Sequence, residues 1–283
     1  MRLATIELAG KSRLAVMEGD RFVPVTGVAS VSELLRMDAG ARSGALAKRE
    51  GPIADADAKL LAPVRPHKNV FCVGRNYLAH AEESFRARGE TVKLPPVPTF
   101  FTKAPTAIAD PEATLRLQSA VSTMYDWEAE LGVVIGTRCK DVPESRALDV
   151  VFGYTCVNDI SARDVQNATT QFFKGKTLDD TCPIGPWVVT ADEVRDPQAL
   201  DVTCRVNGVQ KQHASTSSMI FNVARIIAEL SKGTTLEPGD IIATGTPEGV
   251  GMGRTPQEWF ADGDVVEVEI GSIGVLRNRL EIR

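Results

Sequence analysis

No stretch of this chain approaches 18 uninterrupted apolar residues, so no segment is expected to span a membrane. The opening MRLATIELAGKSRLAV has no long apolar core and no cleavage pattern of a secretory signal. No dense run of lysine and arginine occurs, and 32 basic against 37 acidic side chains leave a net charge of −5. A cationic footprint for nucleic acid is therefore absent. Cysteine is sparse and unpaired in pattern: Cys72, Cys139, Cys156, Cys182 and Cys204 are widely spaced, and none forms a C-x-x-C pair. They read as reduced, mostly buried side chains of a cytoplasmic protein. Cys72, close to Gly74, also invites a catalytic reading. Histidine is confined to His67, His80 and His213, which narrows any imidazole chemistry to three positions.

What is present is ordinary for a globular chain. Hydrophobic residues make up 43% of 283 positions, enough to bury a large core. Residues 3–8, 13–16 and 21–25 read as short strands punctuated by Gly10 and Gly19, and residues 31–37 as a short helix after Ser30. Residues 38–58 carry alanine, glycine and charge with weak periodicity. The prolines of Ala62-Pro63-Val64-Arg65-Pro66-His67 keep the residues before them extended, so a boundary is placed there. Residues 1–66 are expected to form a small β-rich N-terminal domain and residues 67–283 the main domain. Beyond the boundary, 69–73, 127–135, 151–157, 241–244 and 265–270 read as strands. Residues 77–88 have helical character and stop at Gly89. Residues 219–230 read as a helix capped by Ser217 or Ser218, with Ile220, Val223, Ile227 and Leu230 on one face and Gly233 at its end. Several strands between few helices point to the α+β class.

Chemistry concentrates first in YDWEAELGVVIG, where Glu128 and Glu130 are two apart. On a strand both carboxylates share one face, beside the apolar run that follows. Two like charges there repel each other and resist desolvation, and a bound cation removes both costs. Asp159, in GYTCVNDISARDVQ, stands where an apolar strand ends and a helix begins. The plain alternatives are a solvated sheet face for the glutamates and a helix cap for Asp159. Three oxygen ligands would favour Mg²⁺, Mn²⁺ or Ca²⁺ over softer metals and leave about three octahedral positions open. An open coordination sphere suits catalysis.

His80 and Glu83 are i and i+3 on the expected helix, so a carboxylate can orient the ring as a general base; a surface pair is the alternative. His67 lies in the linker and His213 in a polar loop, and neither is expected to act. Arg163, Asp164 and Gln166 follow Asp159 closely, and Arg163 could grip a substrate carboxylate. Lys174 or Lys176 could stabilise an enolate, and spacing does not choose between them. The loop from Thr244 to Gly253 is rich in glycine but is neither a P-loop nor G-x-G-x-x-G. It could present backbone N–H groups and Thr246 to an anion, or be a wide turn.

Six motifs in order, CVGRNYLAH, FFTKAPTAI, YDWEAELGVVIG, GYTCVNDISARDVQ, FFKGKTLDDTCPIGPWVV and PGDIIATGTPEGVG, resemble the fumarylacetoacetate hydrolase family over residues 68–283. The resemblance implies a mixed β-sheet roll with a variable N-terminal domain, usually a homodimer. It implies Mg²⁺, sometimes Mn²⁺ or Ca²⁺, on Glu128, Glu130 and Asp159. A lid carries His80 and Glu83, the lysine is Lys176, and Arg75, Arg163, Gln166 and Thr246 fall on substrate-contacting motifs. The expected reaction is hydrolysis of a C–C bond in a 2,4-dioxo acid, an acylpyruvate or dioxo sugar acid. His80 would deprotonate water, and Lys176 and the cation would stabilise the pyruvate-type enolate. Decarboxylation of oxaloacetate, or tautomerisation or isomerisation of an unsaturated oxo-dioate, would pass through the same enolate. A non-enzymatic, metal-stabilised binding protein would leave His80, Glu83 and Lys176 without a task. Selectivity for the substrate's remaining group is expected from residues 77–98 and from the N-terminal segment.

Overall fold

The computed structural model describes residues 1–54, 58–87, 89 and 91–283. Among them, twelve strands form one mixed sheet, five form a second, and Tyr125–Asp126 pairs with Ser161–Ala162 as a separate two-stranded ladder. The larger sheet runs in the order Ile53–Ala54, Arg21–Pro24, Lys11–Glu18, Arg2–Leu8, Cys182–Thr190, Val151–Asn158, Ala129–Ile135, Ile241–Ala243, Val70–Gly74 and Thr99–Lys103, with Lys59–Leu61 also pairing with Arg2–Leu8 and Ile108–Ala109 also pairing with Cys182–Thr190. The smaller runs Val209–Ser215, Asp201–Val206, Val265–Ile270, Gly274–Ile282 and Thr114–Leu117. Both sheets are open, and with the helices they make the α+β architecture that the sequence suggests. No helix among the described residues is long and apolar enough to cross a membrane.

The strand Ala129–Ile135 is buried at every residue, which explains its nearly continuous apolar run. Leu131, Val133 and Ile135 pack towards Val202, Val268 and Leu276 of the second sheet. Val134 turns the other way, into a cluster with Leu3, Val16, Leu34 and Leu35. The first 66 residues thus share a core with the rest. Their first strand also pairs with Cys182–Thr190, Leu3 standing opposite Val188.

Three elements differ from the sequence reading for identifiable reasons. The helix expected over 219–230 is Val223–Ser231, capped by the side chain of Asn222. Ile220 and Phe221 instead donate their N–H groups to Asn76, which holds them out of the helix. The strand Cys182–Thr190 contains two prolines and a glycine, residues that argue against a strand, and its register against Val151–Asn158 shifts there. The weakly periodic stretch after residue 38 holds a helix, Ala39–Leu46, capped by Asp38. The helix expected over 77–88 is Leu78–Ala87, and its expected last residue, 88, lies outside the described residues.

Candidate active site

Strand register assembles the carboxylates. Ala129 stands opposite Asn158 in the antiparallel pair, so Glu128 and Asp159 are neighbours one step beyond the ladder. Asp159 N–H donates to the Glu128 carbonyl at 2.9 Å. The helix that follows, Arg163–Asn167, begins after Ala162 with no side-chain cap, so Asp159 is not a helix cap. Glu128, Glu130 and Asp159 are all buried, which removes the solvated-face reading. Their oxygens approach within 4.8 Å of one another.

Cationic side chains surround them. Lys176 Nζ donates to Glu128 Oε2 at 2.6 Å and to Asp159 Oδ2 at 2.9 Å. Lys103 Nζ donates to the other oxygen of Asp159 at 2.7 Å and to the Ile160 carbonyl at 3.0 Å. Arg163 donates through Nε to Asp126 at 2.8 Å and through Nη1 to Gln166 at 3.0 Å. Its Nη2 lies 2.8 Å from Glu128 Oε1 as an ion pair. Burial alone would raise the Glu128 pKa, yet Lys176, Arg163 and His80 outweigh it and hold the group well below the usual range. Burial would lower that of Lys176, and Asp159 and Glu128 reverse the sign. No cation among the described residues forms an ion pair with Glu130: burial, then Asp159 and Glu128, outweigh Lys176 and push its carboxyl well above the usual range. It accepts a hydrogen bond from the N–H of Gly245, at 2.7 Å.

One small cavity draws the remaining groups together, lined by His80, Glu128, Glu130, Arg163, Gln166 and Lys176. Arg75 and Thr246 also reach its wall. His80 Nδ1 faces Glu83 Oε2 at 3.4 Å, both side chains buried. Glu83 also accepts from the Gly249 N–H, so the glycine-rich loop seats the dyad. Arg75 adopts a left-handed φ of 55°, a strained conformation for a residue with a Cβ, and its guanidinium lies 4.6 Å from the Phe85 ring centroid. Thr246 donates to the Ala129 carbonyl at 3.0 Å. Lys174 is exposed and lines a different cleft, so geometry picks Lys176 of the two. Asp164 turns away to bind Ser122. His67 and His213 lie elsewhere, beside Arg36 and Thr203. Cys72 is fully buried, and burial, Asp159 and Glu130 keep its thiol protonated, against a nucleophilic role.

Residues 69–281 match the family described as fumarylacetoacetate (FAA) hydrolase C-terminal. The chain belongs to the fumarylacetoacetate hydrolase family. It is 45% identical over 226 residues to the oxaloacetate tautomerase of Bacillus subtilis, covering 80% of this chain and 74% of that one. It is 43% identical over 231 residues to a 2,4-didehydro-3-deoxy-L-rhamnonate hydrolase from a Sphingomonas species, covering 81% and 79%. Among solved structures, the fumarylacetoacetate hydrolase of Exiguobacterium antarcticum superposes with a TM-score of 0.86 at 39% identity over 100% of both chains. A 5-carboxymethyl-2-hydroxymuconate delta-isomerase from Mycobacterium smegmatis does so at 0.81 and 32% identity, again over 100% of both. The chain is therefore an enzyme of a family whose members differ in reaction.

Within this fumarylacetoacetate hydrolase fold the acidic group fits a hard divalent cation. Its donors are all oxygen and within reach of one another. Glu130, pushed towards protonation by burial and by two neighbouring carboxylates, is what a cation would relieve. Two buried groups went unread in the sequence. Asp126 accepts from Gly251, Met252 and Arg163, and it continues the alternation of Glu128 and Glu130 one step back, a signal that was there to find. Lys103, fully buried against Asp159, carries no local signal, because only the folded sheet brings them together.

Proposed function

We propose that this enzyme hydrolyses a C–C bond in a 2,4-dioxo acid, an acylpyruvate or dioxo sugar acid, with a divalent cation on Glu128, Glu130 and Asp159. Mg²⁺ is the first choice, with Mn²⁺ or Ca²⁺ as substitutes. The observation that carries the reading is the convergence of His80, Glu128, Glu130 and Lys176 on one cavity, with Glu83 behind the imidazole and Asp159 beside the two glutamates. Bound there, the cation supplies a Lewis acid that holds an α-keto carboxylate and offsets the charge of an enolate. With Nδ1 turned to Glu83, His80 has Nε2 left to take a proton from water. The hydroxide adds to the C4 carbonyl, and the C3–C4 bond breaks with its electron pair left on C3. Lys176 donates to the enolate oxygen, and a proton returned to C3 completes pyruvate. Arg163, whose guanidinium is buried at the cavity wall, is the donor for the substrate carboxylate. Arg75, Gln166 and Thr246 line the space left for the rest of the substrate.

The similarity to an oxaloacetate tautomerase favours a second reading, in which His80 moves a proton between C3 and the enol oxygen and no bond between carbons breaks. Products separate the two. Acetylpyruvate with Mg²⁺ should lose its ultraviolet absorbance and yield pyruvate and acetate in equal amounts, with loss of both on chelation. Tautomerisation of oxaloacetate releases neither pyruvate nor CO₂, and decarboxylation releases both. His80→Ala should abolish hydrolysis and tautomerisation while sparing decarboxylation, which needs no base. No turnover of any 2,4-dioxo acid, oxaloacetate or unsaturated oxo-dioate would defeat the enzymatic assignment of this site.

A further inference from the structure

The stretch from Asp126 to Glu130 grips the glycine-rich loop at nearly every residue. Glu130 accepts from the N–H of Gly245, and the Ala129 carbonyl accepts from Thr246. The indole Nε1 of Trp127 donates to the Gly249 carbonyl at 3.0 Å. Asp126, fully buried, accepts from the Gly251 N–H at 2.6 Å through Oδ1 and from the Met252 N–H at 3.0 Å through Oδ2. The same Oδ2 takes the Arg163 Nε at 2.8 Å. On its other side the loop holds Glu83 through the Gly249 N–H, and Glu83 faces His80. The fit leaves no slack: a Cβ on Gly251 would stand 2.8 Å from Asp126 Oδ1, and one on Gly253 would stand 2.0 Å from Glu83 Cδ.

We propose that Asp126 is a positioning residue that fixes Arg163 and the glycine-rich loop in one register, and through that loop fixes the Glu83–His80 dyad. It touches no reacting atom. Both of its oxygens are engaged, by two backbone donors and one guanidinium, so one carboxylate ties the substrate-facing arginine to the floor beneath the base. The inference rests on the roles proposed above for His80 and Arg163.

Asp126→Asn tests it, because the carboxamide keeps the shape and must turn its NH₂ towards a donor whichever way it sits. The expected result with acetylpyruvate and Mg²⁺ is a fall in kcat of about 100-fold, the scale of a misplaced base, with KM raised about 10-fold through Arg163. Mg²⁺ affinity by calorimetry should stay within about 3-fold, which general unfolding would not allow. Glu83→Gln should cost little more in the Asp126→Asn background than about 3-fold, because both act through one dyad. Trp127→Phe, which removes one loop contact and leaves Arg163 alone, should lower kcat about 10-fold with KM unchanged. A folded Asp126→Asn enzyme with kcat and KM near wild type, or full multiplication of its effect with that of Glu83→Gln, would overturn the proposal. Should Asp126→Asn fail to fold, an unchanged kcat in Trp127→Phe would overturn it instead. If wild type turns over none of these substrates, the functional reading fails separately. Oxalate binding to the Mg²⁺-loaded protein then decides, with about 10-fold weakening by Asp126→Asn expected through Arg163 and equal affinity contrary to it.

Discussion

Glu128 faces two buried cations, with Lys176 on one oxygen and Arg163 on the other. Its replacement by glutamine removes an anionic ligand and leaves two buried cations short of a partner. Adding Mg²⁺ at about 100 times its Kd should stabilise the wild-type protein by about 2.7 kcal/mol, read as a rise in Tm. Glu128→Gln should abolish that shift together with turnover, and a variant that kept both would move the cation elsewhere. A second expectation concerns alkaline stability. Burial pushes the Cys156 thiol from its ordinary 9.0 up to about 12. A folded-state pKa above the unfolded one gives stability that is complete below pH 9 and is lost as pH rises towards 12. In that window the unfolded chain releases the proton and the folded protein keeps it, so this thiol costs about 1.4 kcal/mol per pH unit. Urea midpoints on either side of the thiol's ordinary value, for wild type and Cys156→Ala, check it: the variant should show the shallower decline. Glu128 and Glu130 were readable because strand alternation is local. Glu128 and Asp159 meet only through the antiparallel pairing, which no local pattern records.

Strands that the sequence revealed are those whose two faces have one character each. Ala129–Ile135 is buried on both faces and apolar apart from Glu130, and Val265–Ile270 alternates buried and half-buried residues. Gly274–Ile282 alternates as well, yet its inward positions include Asn278, which is satisfied by the carbonyls of Asp110 and Ala113 and breaks the apolar pattern. Cys182–Thr190 hides behind its prolines. Its pairing with Val151–Asn158 depends on Gly153, where a Cβ would stand 2.3 Å from the Val189 carbonyl oxygen and 2.8 Å from Val188 Cγ1. Backbone in a central strand has little room to move, so Gly153→Ala should destabilise the protein by about 1–3 kcal/mol. Gly44→Ala supplies the contrast. That glycine lies inside the helix Ala39–Leu46 with nothing near its missing Cβ, and alanine there should stabilise by about 0.5–1 kcal/mol. Denaturant midpoints of the two variants should move in opposite directions, and equal shifts would contradict the packing described for Gly153.

The first 66 residues sit on the sheet that holds the site. Their strand Arg2–Leu8 runs beside Cys182–Thr190, and Leu3, Val16, Leu34 and Leu35 pack with Cys72, Val134, Val157 and Ile184. Cys72 lies on the strand leading to Arg75, and Val157 precedes Asp159 by two residues, so this core backs the catalytic cavity. The proline-rich stretch suggested a boundary because prolines do mark linkers, but Thr5 Oγ1 donates to the Pro63 carbonyl and Ala62 N–H to Asp110, which ties the stretch down on both sides. Removing residues 1–66 would uncover one face of that core and the edge of Cys182–Thr190 that pairs with Arg2–Leu8, leaving a strand edge open to another chain. The chain 67–283 alone should therefore be aggregated or lack a cooperative thermal transition, and should bind no Mg²⁺ by calorimetry. A soluble 67–283 protein with a sharp transition and wild-type Mg²⁺ affinity would show instead that the N-terminal segment is a separable domain. Supplying residues 1–66 as a second polypeptide would then distinguish the cases further, since a shared core predicts recovery of both the transition and Mg²⁺ binding only when the two pieces are refolded together.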